Sequence, residues 1–156
     1  MKKLMIFIAV FTAMAAQATV LRVSNVTNSG APYADITSAL AAAAEGDTIM
    51  VDGSSTSYGD LTVDKKIVLM GPGYLRTENG VLTEGSNSAQ ISALTISADG
   101  TAGTVVQGMD ITGITLIETP NVVITRCRIR GSFRLTSAAT NTVIHQNYFT
   151  NGSHIN

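Results

Sequence analysis

From Thr48 onward the chain reads as short apolar runs separated by Gly, Asp, Asn, Ser and Thr. Thr48-Ile49-Met50-Val51, Leu61-Thr62-Val63 and Ile67-Val68-Leu69-Met70 have strand length and turn-forming flanks. Strand signals resume at Ile91-Ser92-Ala93-Leu94-Thr95-Ile96 and continue to the end without a helical period. Residues 72–90 are polar, Gly-containing and aperiodic, and read as a long loop or excursion. Ahead of these strands, Leu21-Arg22-Val23 alternates as a short edge strand, and Asn25 to Pro32 is turn-rich. The pattern predicts one helix, over about Ala34 to Ala44. There Ile36, Leu40 and Ala43/Ala44 share a face at helical spacing, and the alanines add helix propensity. Asp35 suits the first turn's dipole, and Gly46 is placed to close the C-terminus. The apolar stripe is narrow, so the helix should lie flat on something larger.

Internal repetition sharpens this reading. Thr104 to Gly113, Val122 to Gly131 and Thr142 to Asn151 align at offsets of 18 and then 20 residues. Val106, Ile124 and Ile144 share a column, as do Ile111, Ile129 and Phe149. Met109, Cys127 and Asn147 share a third, and Gly113, Gly131 and Asn151 a fourth, read as residues that tolerate left-handed backbone angles. Such columns predict an all-β coil of about five turns, whose aliphatic residues stack at the strand spacing of about 4.8 Å. The period also falls in the leucine-rich-repeat range, but the Leu-rich consensus with its set Asn is missing. A sandwich or ordinary barrel remains the competing arrangement.

The N-terminus has a separate role. Met1-Lys2-Lys3 is a basic head, Leu4 to Met14 is apolar except for Thr12, and Ala16-Gln17-Ala18 is a small-x-small cleavage site. Residues 1–18 are therefore expected to be a secretory signal peptide, with a mature domain over 19–156. The run is too short for a stable membrane anchor, and no later stretch approaches membrane length. The expected destination is secreted, cell-surface or periplasmic. The ten basic and eleven acidic residues become eight and eleven without Lys2 and Lys3, a net charge near −3. That argues against a nucleic-acid partner. The single Cys127 makes no internal disulfide, so the core and backbone ladders must hold the domain.

Arg126, Arg128, Arg130 and Arg134 fall within nine positions and are half of the mature basic residues. If all lie in one strand, the first three alternate onto one side, a stripe for uronate carboxylates of an acidic polysaccharide. The competing reading is a solvated face balanced by Asp110 and Glu118 on adjacent turns of the coil. Asp47, Asp52, Asp60 and Asp64 are close in sequence but fall mostly at turns, where Asp bonds its own backbone. His145 and His154 show no ligand spacing with Cys127, and Ser153-His154 lacks a third triad partner. Tyr33, Tyr58, Tyr74 and Tyr148 are stacking candidates for sugar rings and equally ordinary strand-end residues.

Asp35-Ile36-Thr37-Ser38-Ala39-Leu40 followed by Ala44-Glu45-Gly46-Asp47-Thr48-Ile49-Met50-Val51 resembles the N-terminal cap and first strand of the pectin-lyase-like proteins. Leu61-Thr62-Val63 and Lys66 to Gly73 look like the next strands of that opening, and Asn121 to Ile129 like its repeat. Asn147 fits the family's stacked-Asn turn position, whereas Cys127 and Met109 depart from it. The resemblance covers about residues 21–152. It implies a right-handed parallel β-helix (solenoid), with a cap over about 21–47 and rungs over about 48–152. It also implies an exported bacterial protein that acts on or binds polysaccharide; by that route the sequons at Asn25 and Asn151 are irrelevant. A lyase of this family would use an Arg or Lys base and Ca²⁺ held by acidic residues. No cap is legible after the last repeat, so the chain is expected to be the N-terminal piece of a longer protein. Two functions follow from the resemblance: a polysaccharide-associated, structural or adhesive module without a complete active site, or the first part of a polysaccharide lyase acting on acidic glycans.

Overall fold

The computed structural model describes residues 18–78, 81–84, 87–97 and 100–150. The expected signal peptide, apart from Ala18, lies outside them, as do Asn151, Ser153 and His154. The chain opens with β1 (Val20–Val23) and α1 (Ile36–Ala42), then β2 (Thr48–Val51), β3 (Leu61–Val63) and β4 (Val68–Met70). A hairpin of β5 (Leu75–Glu78) and β6 (Val81–Glu84) intervenes. Next come β7 (Ala89–Ile91), β8 (Leu94–Ile96), β9 (Val105–Gln107), β10 (Met109–Ile111), β11 (Thr115–Ile117) and β12 (Val123–Thr125). The last four described strands are β13 (Arg128–Ile129), β14 (Phe133–Leu135), β15 (Val143–His145) and β16 (Tyr148–Phe149).

Among the described residues every strand pairing apart from the hairpin is parallel, and these strands form three sheets. The first sheet runs β1-β2-β4-β9-β12-β15, the second β7-β10-β13-β16, and the third β3-β8-β11-β14. From β4 on, the chain visits the sheets in a fixed order, first, second, third, and then returns one strand further along. This recurrence of parallel strands in stacked sheets is compatible with a solenoid. The expected columns are its registers: Val106 pairs with Ile124 and Ile124 with Ile144, and Ile111 pairs with Ile129 and Ile129 with Phe149. The interior follows from strand alternation, which sends every second side chain inward. Ile49, Leu69, Val106 and Ile124 line one wall, and Ile91, Ile111 and Ile129 another, all essentially inaccessible to water. Each such side chain contributes roughly 1.5–3 kcal/mol by burial. Ile144 and Phe149, the last members of those columns, are only partly buried, because no described strand stacks beyond β15 and β16.

Asp35 is the N-cap of α1, not a first-turn residue; its carboxylate accepts the Ser38 N–H at 2.7 Å. Ala43, not Gly46, ends the helix. Ile36, Ala39 and Leu40 form its buried face against β1, β2 and β3, so the helix does lie flat on larger elements. Residues 72–90 are not all loop: the hairpin occupies part of them, and β7 begins at Ala89. Ile91 to Ile96 breaks into two strands belonging to different sheets.

The glycine column also has a different cause from the expected one. Gly113 and Gly131 do not adopt positive φ. A Cβ on Gly131 would run into the Gly113 carbonyl, and one on Gly113 into the Ser92 carbonyl. Close stacking of successive backbones, not handedness, requires glycine there. Left-handed residues do recur, but elsewhere. Gly103, Asn121 and Asn141 form one such column before the first-sheet strands, and Gly108, Arg126 and Gln146 another just after them.

Candidate functional site

The second sheet positions most of the polar chemistry. Its outer face carries Gln90, Asp110, Arg128 and Tyr148 in register. Asp110 is fully buried even though it points away from the aliphatic interior. Its Oδ2 accepts from Arg128 Nη2 at 2.6 Å, Arg130 Nη2 at 2.7 Å and Ser88 Oγ at 3.0 Å, and its Oδ1 from Arg130 Nε at 3.1 Å. Burial pushes the Asp110 carboxyl up, but the bonds from Arg128, Arg130 and Ser88 outweigh it and hold the group below the usual carboxylate range.

The four arginines do not form one stripe. Arg126 is in no strand; it turns the corner between β12 and β13 with a φ of 53°. Arg128 is buried against Asp110, Arg130 is partly exposed and paired to the same carboxylate, and Arg134 sits exposed on β14 in the third sheet. A left-handed corner resets the side-chain alternation, so positions two apart across it do not share a face. Asp110 supplies the expected balance, but for a buried cluster instead of a solvated face. Exposed Glu118 makes no ion pair among the described residues.

Arg126 stands at the rim of a cleft of about 310 Å³ lined also by Pro72, Gly73, Tyr74 and Gln146. A second hollow of about 140 Å³ shares Pro72, Gly73 and Arg126 and extends to Gln107 and Gly108. Arg126 Nε donates to Gln146 Oε1 at 3.3 Å, which leaves both terminal NH2 groups of the guanidinium without a protein partner among the described residues. Tyr74 stacks on Tyr148, with ring centroids 5.7 Å apart and planes 17° from parallel. The segment 72–88 is thus tied to the second sheet at both ends, by Tyr74 on Tyr148 and by Ser88 on Asp110. The Gly73 N–H also reaches the Gly108 carbonyl at 2.9 Å.

Several of the other candidates have structural partners. Tyr58 donates to the Asp52 carbonyl at 2.9 Å, and Tyr33 bridges Val23 and packs on the core. Asp47 accepts the Thr19 and Ala44 N–H groups at 2.7 and 2.8 Å, which draws its carboxyl below the usual range. Asp52 pairs with Arg22, and Asp60 and Asp64 are exposed. Among the described residues no three His, Cys, Asp or Glu side chains converge on one point. His145 is exposed on the first sheet beside Thr125, while Cys127 is buried and donates to the Thr125 carbonyl at 3.3 Å. Asn147 does sit inside its turn: its side chain accepts the Cys127 N–H at 2.9 Å and donates to the Ile124 carbonyl at 2.8 Å.

No protein-family model, curated protein or solved structure matches this chain. Its chemistry must be read from its own residues. Of the cleft, sequence reasoning singled out only Arg126 and Tyr74. Gln146 carried a usable signal, because it aligns with Arg126 at the same 20-residue offset as the aliphatic columns.

Proposed function

We propose that the chain is an exported right-handed parallel β-helix module, capped by α1, that serves a structural or adhesive role in association with polysaccharide and holds no complete active site in this segment. The observation that carries this reading is the engagement of Arg128 and Arg130 by Asp110. These two members of the expected arginine stripe instead tie β10 to β13 and, with Ser88 on the same carboxylate, secure the excursion. The stacked parallel sheets and the Asn147 turn support the pectin-lyase-like resemblance at the level of architecture. A solenoid presents long, regular outer faces, which suit an extended polymer better than an enclosed reaction centre does. The test is incubation of the purified exported chain with polygalacturonate, with and without Ca²⁺. Affinity electrophoresis should show retardation by the polymer, and absorbance of unsaturated product should stay at baseline. Product accumulation that scales with protein concentration, or unaltered mobility on every acidic polysaccharide tried, would overturn the proposal.

A further inference from the structure

The corner column Gly108, Arg126, Gln146 holds left-handed backbone at all three levels, with φ of 68°, 53° and 56°. At Gly108 this conformation is free of steric cost; at Arg126 an L side chain occupies it against preference. Non-glycine residues held in such regions cluster at active sites, ligand clamps and switch regions. Here the side chain is a guanidinium. One nitrogen is held by Gln146, and its two terminal NH2 groups have no protein partner among the described residues. It lines a cleft of about 310 Å³ together with Pro72, Gly73, Tyr74 and Gln146.

We infer that this cleft is a binding site for a single carboxylate-bearing sugar residue, with Arg126 as the group that recognises the carboxylate. The inference rests on the polysaccharide reading above and assigns it a place and a contact. Four features define the ligand class. The two free NH2 groups of Arg126 match the two oxygens of a carboxylate in a planar fork. Tyr74, held by stacking on Tyr148, lines the cleft with an aromatic ring suited to the C–H face of a pyranose. The Gln146 amide supplies donors and an acceptor for ring hydroxyls. The volume lies near the lower end of ligand clefts, about 300–1,000 Å³, which suits a single sugar ring and not a long segment of polymer. The other three arginines are excluded on geometry: Arg128 and Arg130 are held by Asp110, and Arg134 lies on another sheet.

The experiment is calorimetric titration of the exported chain with trigalacturonate, with neutral galactotriose as the control and polygalacturonate gel retardation run in parallel. Wild type should bind trigalacturonate and not the neutral sugar. Arg126→Gly reproduces the residue found one turn earlier, so its melting temperature should be unchanged or higher, yet affinity should fall roughly tenfold or more. Tyr74→Ala should also weaken binding, and Arg134→Ala should not. Retained affinity in Arg126→Gly, or equal affinity for the neutral sugar, would overturn the site. Failure of wild type to bind trigalacturonate while the polymer still retards it would overturn the site and leave the polysaccharide reading standing. Loss of both interactions would overturn both. Cleavage of polymer with Arg126-dependent binding would overturn the non-catalytic reading and leave the site standing.

Discussion

Asp110 and Arg128 sit directly opposite one another on adjacent parallel strands, and the guanidinium meets the carboxylate at 2.6 Å with both side chains almost wholly out of water. Buried ion pairs of this kind are weak evidence for stability as a pair, yet breaking one side leaves an uncompensated charge.

Asp110→Asn should therefore destabilise the fold by about 3–5 kcal/mol, read as a lowered urea midpoint. The pH dependence follows from the same contacts. The carboxyl titrates below its ordinary value of 3.8 in the fold, so its contribution is complete above about pH 4. It is lost as the pH falls through the depressed value. Acid unfolding of wild type should be steeper than that of Asp110→Asn, and parallel acid limbs would show that the cluster does not stabilise the fold.

Gly131→Ala places a methyl group against the Gly113 backbone, where no flexible side chain can yield. Overpacking of this kind costs about 1–3 kcal/mol. Differential scanning calorimetry should show a clear fall in melting temperature. A neutral result would mean that successive turns are spaced more widely at this corner than the backbone indicates.

Truncation of the aliphatic columns should have graded effects. Ile124 is fully buried with strands on both sides, so Ile124→Ala should cost about 2–5 kcal/mol, and Ile124→Asp more. Ile144 lies on the last described strand of the first sheet and is only partly buried, so Ile144→Ala should cost distinctly less. Denaturant midpoints of the two alanine variants decide the order; equal losses would contradict this packing.

The Cys127 thiol is pushed up to about 12 by burial, only partly offset by nearby backbone hydrogen bonds. The folded protein should resist iodoacetamide at pH 8.5 and react once unfolded in urea. Above about pH 9, the ordinary value for the group, the unfolded thiol ionises while the folded one stays protonated. The stability advantage of wild type over Cys127→Ala should therefore shrink from about pH 9 upward, reaching its lowest value near pH 12. Rapid labelling of the native state would show that the site opens to solvent.

Much of the stacking was legible in the chain itself. Offsets of 18 and 20 residues put Val106, Ile124 and Ile144 in one column because identical environments recur at each turn, and aliphatic side chains fill them. The helix near Ile36, the first short strands and the turn position of Asn147 were legible for similar local reasons: spacing, propensity and the bonding capacity of an amide. What only the tertiary structure decided were the facing and the partners of polar residues. Strands of two or three residues carry too little alternation to show where one sheet ends and the next begins, so β7 and β8 merged in the sequence pattern. The left-handed corner at Arg126 shifts the phase of all that follows, which buries Arg128 against Asp110 and leaves Arg126, of the four arginines, at the cleft. The Gly113–Gly131 contact is likewise invisible in sequence, because it depends on the distance between two backbones 18 residues apart and not on the conformational preference of either glycine.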